Sequence, residues 1–395
     1  MNALQELLSL GGAEAERLGA AATPGEIAQQ PETWRDTASR FAAAAPAVEA
    51  ILAGAEEIVF AGAGTSDFVG RCLQGPVSEA LGRRALACPT TDIVTHPEYA
   101  FPSSRPAVMV SFARSGNSPE SLAAVEVVLH ERPAVRHLII TCNEDGELAR
   151  QARGLGERAY ALVLDPRTND RGLAMTSSFT SMVVAGLGLA YPDRTAGYAA
   201  LTGRAATAAE RVLDVAPDIA KALVARGPKR ACFLGSGGMI GAATECHLKL
   251  QELTDGNIIC FYDTFLGLRH GPRAAIHEDT LVVSFLSPDP QTRRYEMDLL
   301  RSNRAQGVGQ AHLAVAAQAD EELTSLSDAV IAFDPEGTLG LPESFHAPAV
   351  TIVGQLLGLF ASLSFGLKPD APSAGGVISR VVQGVTIYPW QGKQP

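Results

Sequence analysis

The chain has 395 residues, room for two to three domains with buried cores. Its 43 acidic residues outnumber 32 basic ones for a formal charge of -11, and no Lys/Arg-rich run breaks that balance, which argues against a nucleic-acid partner. The six cysteines, Cys72, Cys88, Cys142, Cys232, Cys246 and Cys260, form neither a CxxC pair nor a cluster with histidines, so they read as reduced packing residues rather than zinc ligands or disulfides.

Residues 1–44 are rich in Ala and Glu at helical spacing and predict an N-terminal helical segment. They lack the basic stretch and apolar core of a signal peptide, so a cytoplasmic chain is expected. Beyond them, short apolar runs at 58–61, 107–110, 137–141 and 161–164 alternate with helix-like segments, the pattern of a parallel α/β sheet.

The second half repeats the first. "FAGAG" carries Gly62 and Gly64, and "FLGSGG" carries Gly235 and Gly237, an offset of 173 residues. The same offset takes Val110-Ser111-Phe112 onto Val283-Ser284-Phe285, and a looser pair, "ALVLDP" at 161–166 and "VIAFDP" at 330–335, follows. Two homologous α/β domains are therefore expected, over 45–200 and 215–370, each a parallel sheet flanked by helices in three layers. The Ala-rich "TAGYAALTGRAATAAE" joins them, and a tail over 371–395 follows. The apolar stretch 349–367 reaches membrane-spanning length but carries Thr351, Gln355, Ser362, Ser364 and three glycines. It predicts a buried core helix and no membrane partner.

Ligands of α/β units bind at the carboxyl ends of strands, where helix N-termini offer free N–H groups. "SFARSGNSPES", residues 111–121, is such a junction: a strand ends, a turn follows, and Pro119-Glu120 opens a helix. Ser118 is well placed as the helix N-cap, and capping needs only one residue. Arg114, Ser115, Gly116 and Asn117 are left over as a nest of donors suited to a phosphate monoester. In the partner loop "GAGTSDFVG", Asp67 stands where a dinucleotide fingerprint has its third glycine, which argues against a nucleotide, while Thr65 and Ser66 add hydroxyls.

Together "GAGTS", "SFARSGNSPES", "ECHLKLQELTDG" and "LRHGP" resemble the sugar isomerase (SIS) fold family, the two-domain phosphosugar isomerases that include the synthase half of glucosamine-6-phosphate synthase. Within it the chain most resembles the AgaS group, galactosamine-6-phosphate deaminases and tagatose-6-phosphate ketose/aldose isomerases, over nearly its whole length. The resemblance implies Ser66, Ser115 and Ser118 as phosphate ligands, with Arg114, Gly116, Thr65 and Asn117 beside them. It implies Gly64, Thr176 and Ser177, the last two from "MTSSFTSM", at the sugar; these two also suit strand-end or helix-cap roles. The chain departs from the synthases at Ala113, where they have a further phosphate-binding serine; Arg114 offers charge in its place.

In "ECHLKLQELTDG", helical spacing sets Glu245, Lys249 and Glu252 on overlapping faces, which suits either a solvated salt-bridged face or a tuned general base. The family pattern implies Glu252 as the proton shuttle between C1 and C2, with Lys249 orienting it. His270, in a Gly/Pro-bounded loop, is either a packing residue or the acid–base group for ring opening, a role that imidazole suits. The resemblance implies that it enters the site from a second subunit, hence a homodimer or larger. Lys368, after the apolar helix, is either a solvated helix-end cation or, as the resemblance implies, the lysine that engages the sugar carbonyl.

The synthases add a glutaminase domain; only the 1–44 segment precedes the first repeat, so ammonia production from glutamine is not expected. The resemblance implies a sugar phosphate as the small-molecule partner and deaminating isomerisation of a hexosamine 6-phosphate, galacto ahead of gluco. A non-deaminating aldose/ketose isomerase or a sugar-phosphate sensor are the alternatives. The proton shuttle needs no metal or organic cofactor, and none is expected.

Overall fold

The computed structural model describes residues 1–382 and 384–392. Of the tail expected over 371–395, Gln383 and residues 393–395 lie outside the described residues. Contacts divide the chain into two compact units. One comprises Thr33–Asn169, Ser178–Ala200 and the tail from Ile378; the other comprises Met1–Glu32, Asp170–Ser177 and Leu201–Val377.

The first of these holds a five-stranded parallel sheet ordered β2-β1-β3-β4-β5, built from β1 (Glu57–Gly62), β2 (Arg84–Pro89), β3 (Ala107–Ala113), β4 (Arg136–Thr141) and β5 (Ala159–Val163). Every residue of β1 and β3 is buried, as the central strands of a doubly covered sheet must be. Val59, Met109, Val125, Ile139 and Leu148 belong to the core on one face.

The other unit has the same topology. β6 (Arg230–Gly235), β7 (Ile259–Asp263), β8 (Thr280–Phe285), β9 (Ala311–Ala316) and β10 (Ala329–Ala332) pair in the order β7-β6-β8-β9-β10, all parallel. Register bears out the repeat read from the sequence: Glu57 faces Ala107 in one sheet, and 173 residues on Arg230 faces Thr280 in the other. The strand-end glycines explain why that offset is kept. A Cβ on Gly62 would lie 2.3 Å from the carbonyl of Ser66, and one on Gly235 would lie 2.4 Å from the carbonyl of Met239. In both repeats the following helix comes too close to the strand end for any side chain.

The expected N-terminal helices are present as Ala3–Leu8, Gly12–Leu18, Thr23–Ala28 and Gln30–Leu52. The Ala-rich joining segment is helical, part of the 30-residue helix Thr195–Val224. The long apolar stretch forms helix His346–Ser364, buried from His346 to Ser362, as expected of a core helix. All six cysteines are buried free thiols. Burial, with help from Asp92 and Asp67, pushes the Cys88 thiol up to about 11, far from a reactive thiolate.

Candidate active site

In the Thr33–Asn169 unit, β1 and β3 are neighbours, so the helices that follow them start side by side at one sheet edge. Gly64, at φ 55° and ψ -126°, turns the chain into helix Thr65–Leu81 and, being a glycine, brings no side chain to the cap position. Thr65 and Ser66 are buried at that turn. Asp67 is also buried; Arg71 lies 2.9 Å from it, and burial raises its carboxyl while Arg71 opposes the rise. It is thus an internally paired carboxylate where a dinucleotide loop needs a glycine.

After β3, Ser118 occupies the cap position of helix Pro119–Glu131, but its side chain makes no bond to the helix amides. Its Oγ donates instead to Ser121 Oγ at 2.7 Å. The capping role suggested by the sequence is therefore not realised. The cap positions of two adjacent helices thus make no side-chain bond to helix amides among the described residues, beside Ser66, Ser115 and Ser118, which favours an anion at that edge. In the other unit the corresponding helix, Pro290–Gln306, is capped by Asp289, which accepts from Thr292 N at 2.8 Å.

Two loop residues have partners that the sequence did not suggest. Asn117 Oδ1 accepts the N–H of Glu147 at 2.9 Å, so Asn117 serves the N-terminus of helix Glu147–Gly154. Arg114 is 6% exposed, and its Nη2 donates to the Arg380 carbonyl in the tail at 2.6 Å. Arg380 in turn donates to Asn169 Oδ1 at 2.7 Å. The guanidinium assigned to phosphate is thus at least partly committed to the chain after Ile378. Ser115 is braced by Asn143, which donates to its carbonyl at 2.9 Å, and Gly116, at φ 69°, accepts from Leu148 N at 3.0 Å.

In the other unit, helix Met239–Leu253 brings together the three charged residues its spacing predicted. Lys249 is 1% exposed and lies 3.4 Å from the fully buried Glu245 and 2.5 Å from Glu252, whose side chain is 23% exposed. The set is not a solvated face. A buried ammonium flanked by a buried and an accessible carboxylate holds the accessible one in a fixed position.

His270 is exposed at the end of the short helix Gly267–His270, and Lys368 is exposed after the core helix. Thr176 is fully buried, and its hydroxyl has no partner among the described residues. Ser177 has both of its hydrogen-bonding roles filled: its Oγ donates to Asp170 at 2.5 Å and accepts from Gln29 Nε2 at 3.0 Å. Asp170 and Glu26, which accepts from the backbone at Arg171 and Gly172, surround this loop and carried no sequence signal.

A family model described as SIS domain matches residues 51–191. The D-galactosamine-6-phosphate deaminase AgaS of Escherichia coli is 38% identical over 382 residues, covering 93% of this chain and 96% of that protein. The protein of the same name from Shewanella sp. (strain ANA-3) is 34% identical over 391 residues, covering 97% of this chain and 96% of that protein. The crystal structure of tagatose-6-phosphate ketose/aldose isomerase from Escherichia coli superposes with a TM-score of 0.84 at 34% identity, covering 97% of this chain and 99% of that one. With matched repeats, the shared domain and relatives aligned over nearly the full length, the chain belongs to the AgaS group of SIS-domain phosphosugar isomerases.

Proposed function

We propose that the protein is a hexosamine-6-phosphate deaminase, with galactosamine 6-phosphate as substrate, acting in the cytoplasm. The observation that carries this reading is the Lys249–Glu252 pair, a half-accessible carboxylate fixed by a buried ammonium, as a positioned general base requires. The names of the full-length relatives support the galacto substrate and the release of ammonia.

In this reading Ser66, Ser115 and Ser118, with the amides of the two helix N-termini, take the phosphate. Thr65, Gly116, Asn117 and Arg114 shape that cradle, the last two through their bonds to Glu147 and Arg380. Gly64 and Thr176 attend the sugar, and Ser177, bonded to Asp170 and Gln29, braces Thr176. His270 moves a proton to the ring oxygen and takes one from the C1 hydroxyl, opening the pyranose to the aldehyde. It does so from the partner copy of a homodimer or larger assembly; its exposure supports that role. Glu252 then removes the proton from C2, giving an enolamine, and returns it to C1, giving a C2 imine. Water adds to the imine, ammonia leaves, and the product is the 2-ketose phosphate. Lys368 engages the open-chain carbonyl.

A second reading, simple aldose–ketose isomerisation, is favoured by the name of the E. coli crystal structure and uses the same proton transfer on a 2-hydroxy sugar. A coupled ammonia assay on galactosamine and glucosamine 6-phosphates, run beside ketose formation from the 2-hydroxy aldose phosphates, separates them. Ammonia together with ketose phosphate establishes the deaminase and identifies the epimer. Ketose phosphate formed only from the 2-hydroxy sugars establishes the isomerase, and silence on all four substrates overturns both.

A further inference from the structure

The helices that precede β1 have no part in the chemistry above, yet the turn they carry at 19–26 is bonded to two segments that do. Glu26 Oε1 accepts the N–H of Arg171 at 2.6 Å, and the N–H of Gly172 lies 3.3 Å from both of its oxygens. A Cβ on Gly172 would stand 2.9 Å from Thr23 Oγ1 and 3.0 Å from Glu26 Oε2, so the loop backbone lies directly on the turn. Two residues beyond Lys368, Asp370 accepts the N–H of Ala22 at 3.0 Å and both the N–H and the hydroxyl of Thr23, at 2.8 and 2.7 Å. Its own N–H donates to the Gly19 carbonyl at 2.8 Å, and its carbonyl accepts from Leu173 N at 2.9 Å. Gly19 is left-handed at φ 62°, and a Cβ there would fall 2.3 Å from Cβ of Lys368.

The turn, the loop Asp170–Ser177 and the 368–370 segment thus close a ring of hydrogen bonds, all within one compact unit. Within the loop, Asp170 passes the constraint on, accepting from Thr176 N at 2.8 Å and from Ser177 Oγ at 2.5 Å. We infer that Glu26 is a positioning residue, which through the turn at 19–26 sets the backbone of the 170–177 loop and the placement of Lys368. The catalytic consequence rests on the function proposed above; the mechanical one does not.

The carboxylates facing Glu26 are Asp170 from the loop and Asp370 from the C-terminal segment; Thr23 offers a neutral hydroxyl, and the Arg171 side chain is exposed. Burial, reinforced by those two charges and opposed by the two amides, holds the Glu26 carboxyl up at about 7. Opening the loop to solvent returns that carboxyl toward the ordinary carboxylate range, so the closed loop holds the proton more tightly than the open one and is favoured at low pH. The loop should therefore loosen as pH rises through neutrality.

The test is hydrogen–deuterium exchange on the full chain, wild type and Glu26→Gln, corrected for intrinsic rates and read over the 170–177 and 368–372 segments, with steady-state kinetics on galactosamine 6-phosphate alongside. Wild-type protection of the loop is expected to fall about 10-fold between roughly pH 6 and pH 8, and in Glu26→Gln to lose that dependence, with β6 and β8 protected as before. kcat/KM in the variant is expected to lose the roughly 10-fold pH dependence that Glu26 imposes near neutrality. The same pH dependence of loop protection in both proteins overturns the inference, as does altered exchange with a wild-type pH–rate profile. If Glu26→Ala fails to fold, the near-isosteric Gln variant decides. A wild type inert on every sugar phosphate sinks the proposed reaction, and loop exchange alone then decides the positioning role, supporting it if the pH dependence of protection requires Glu26 and overturning it if not.

Discussion

Lys249 and Glu252, three residues apart on one helix, meet at 2.5 Å, with the ammonium sealed from solvent and the carboxylate partly open to it. Glu245, one turn earlier, is fully buried against the same ammonium. A carboxylate that could sample many rotamers on a wet helix face is thereby confined to one position, which proton transfer between adjacent carbons demands.

Glu252→Gln keeps the shape of the side chain and removes the base. kcat on the hexosamine phosphate is expected to fall by roughly 10²- to 10⁴-fold with KM little changed. Washout of deuterium from C2 of labelled substrate should vanish with it. Turnover close to wild type would take Glu252 out of the mechanism.

Lys249→Met strands the fully buried Glu245 without its cation. The expected cost is about 3–5 kcal/mol of stability, read by urea denaturation, since an unpaired buried charge is left behind. Adding Glu245→Gln should restore much of that loss, but not the activity. A single variant as stable as the wild type would show that the pair contributes nothing to folding.

Ser118 and Asp289 stand at equivalent cap positions of the two repeats but do different work. Asp289→Ala should cost about 1 kcal/mol, the worth of an N-cap, with KM unchanged. Ser118→Ala should alter stability by no more than about 0.5 kcal/mol, because no helix amide depends on its hydroxyl, and should raise KM for the sugar phosphate. Denaturation curves and Michaelis plots of the two variants must diverge in this crossed pattern for the phosphate assignment to stand.

Acid sensitivity should come from His137 and His346, whose burial depresses both to about 4. Neither ring nitrogen of His137 has a partner among the described residues. A histidine whose folded pKa lies below its unfolded value of 6.5 adds stability that is full above 6.5 and is lost as pH falls toward 4. Between pH 7.5 and pH 5 that amounts to about 2 kcal/mol per histidine. Glu26 works in the opposite sense: its raised carboxyl favours the folded state at low pH and offsets about one histidine's share. In His137→Asn the drop in urea stability between the two pH values should shrink by about 2 kcal/mol, and in Glu26→Gln it should grow by a similar amount. An unchanged pH dependence in both would refute these assignments.

What the sequence determined by itself is what short-range geometry controls. The 173-residue offset could be read because the same backbone event, a strand end pressed against the next helix turn, demands glycine at Gly62 and at Gly235. The alignment of Glu245, Lys249 and Glu252 follows from helical periodicity alone. The central strands announced themselves as apolar runs because both their faces are covered. The edge strand Arg84–Pro89, mostly half-exposed, carried no such run and was not foreseen.

Only the tertiary structure decided partners that lie far apart in the chain. Ser118 fits the local grammar of an N-cap, yet its hydroxyl turns to Ser121, and Asn117 serves a helix thirty residues on. Arg114 reaches the Arg380 carbonyl across 266 residues, and Asp370 reaches Ala22 across 348. Spacing along a helix or strand is fixed by the repeat of the backbone. The choice of a distant partner is fixed by which surfaces pack together, and a single buried glutamate such as Glu26 shows its purpose only when the loop it holds is in place.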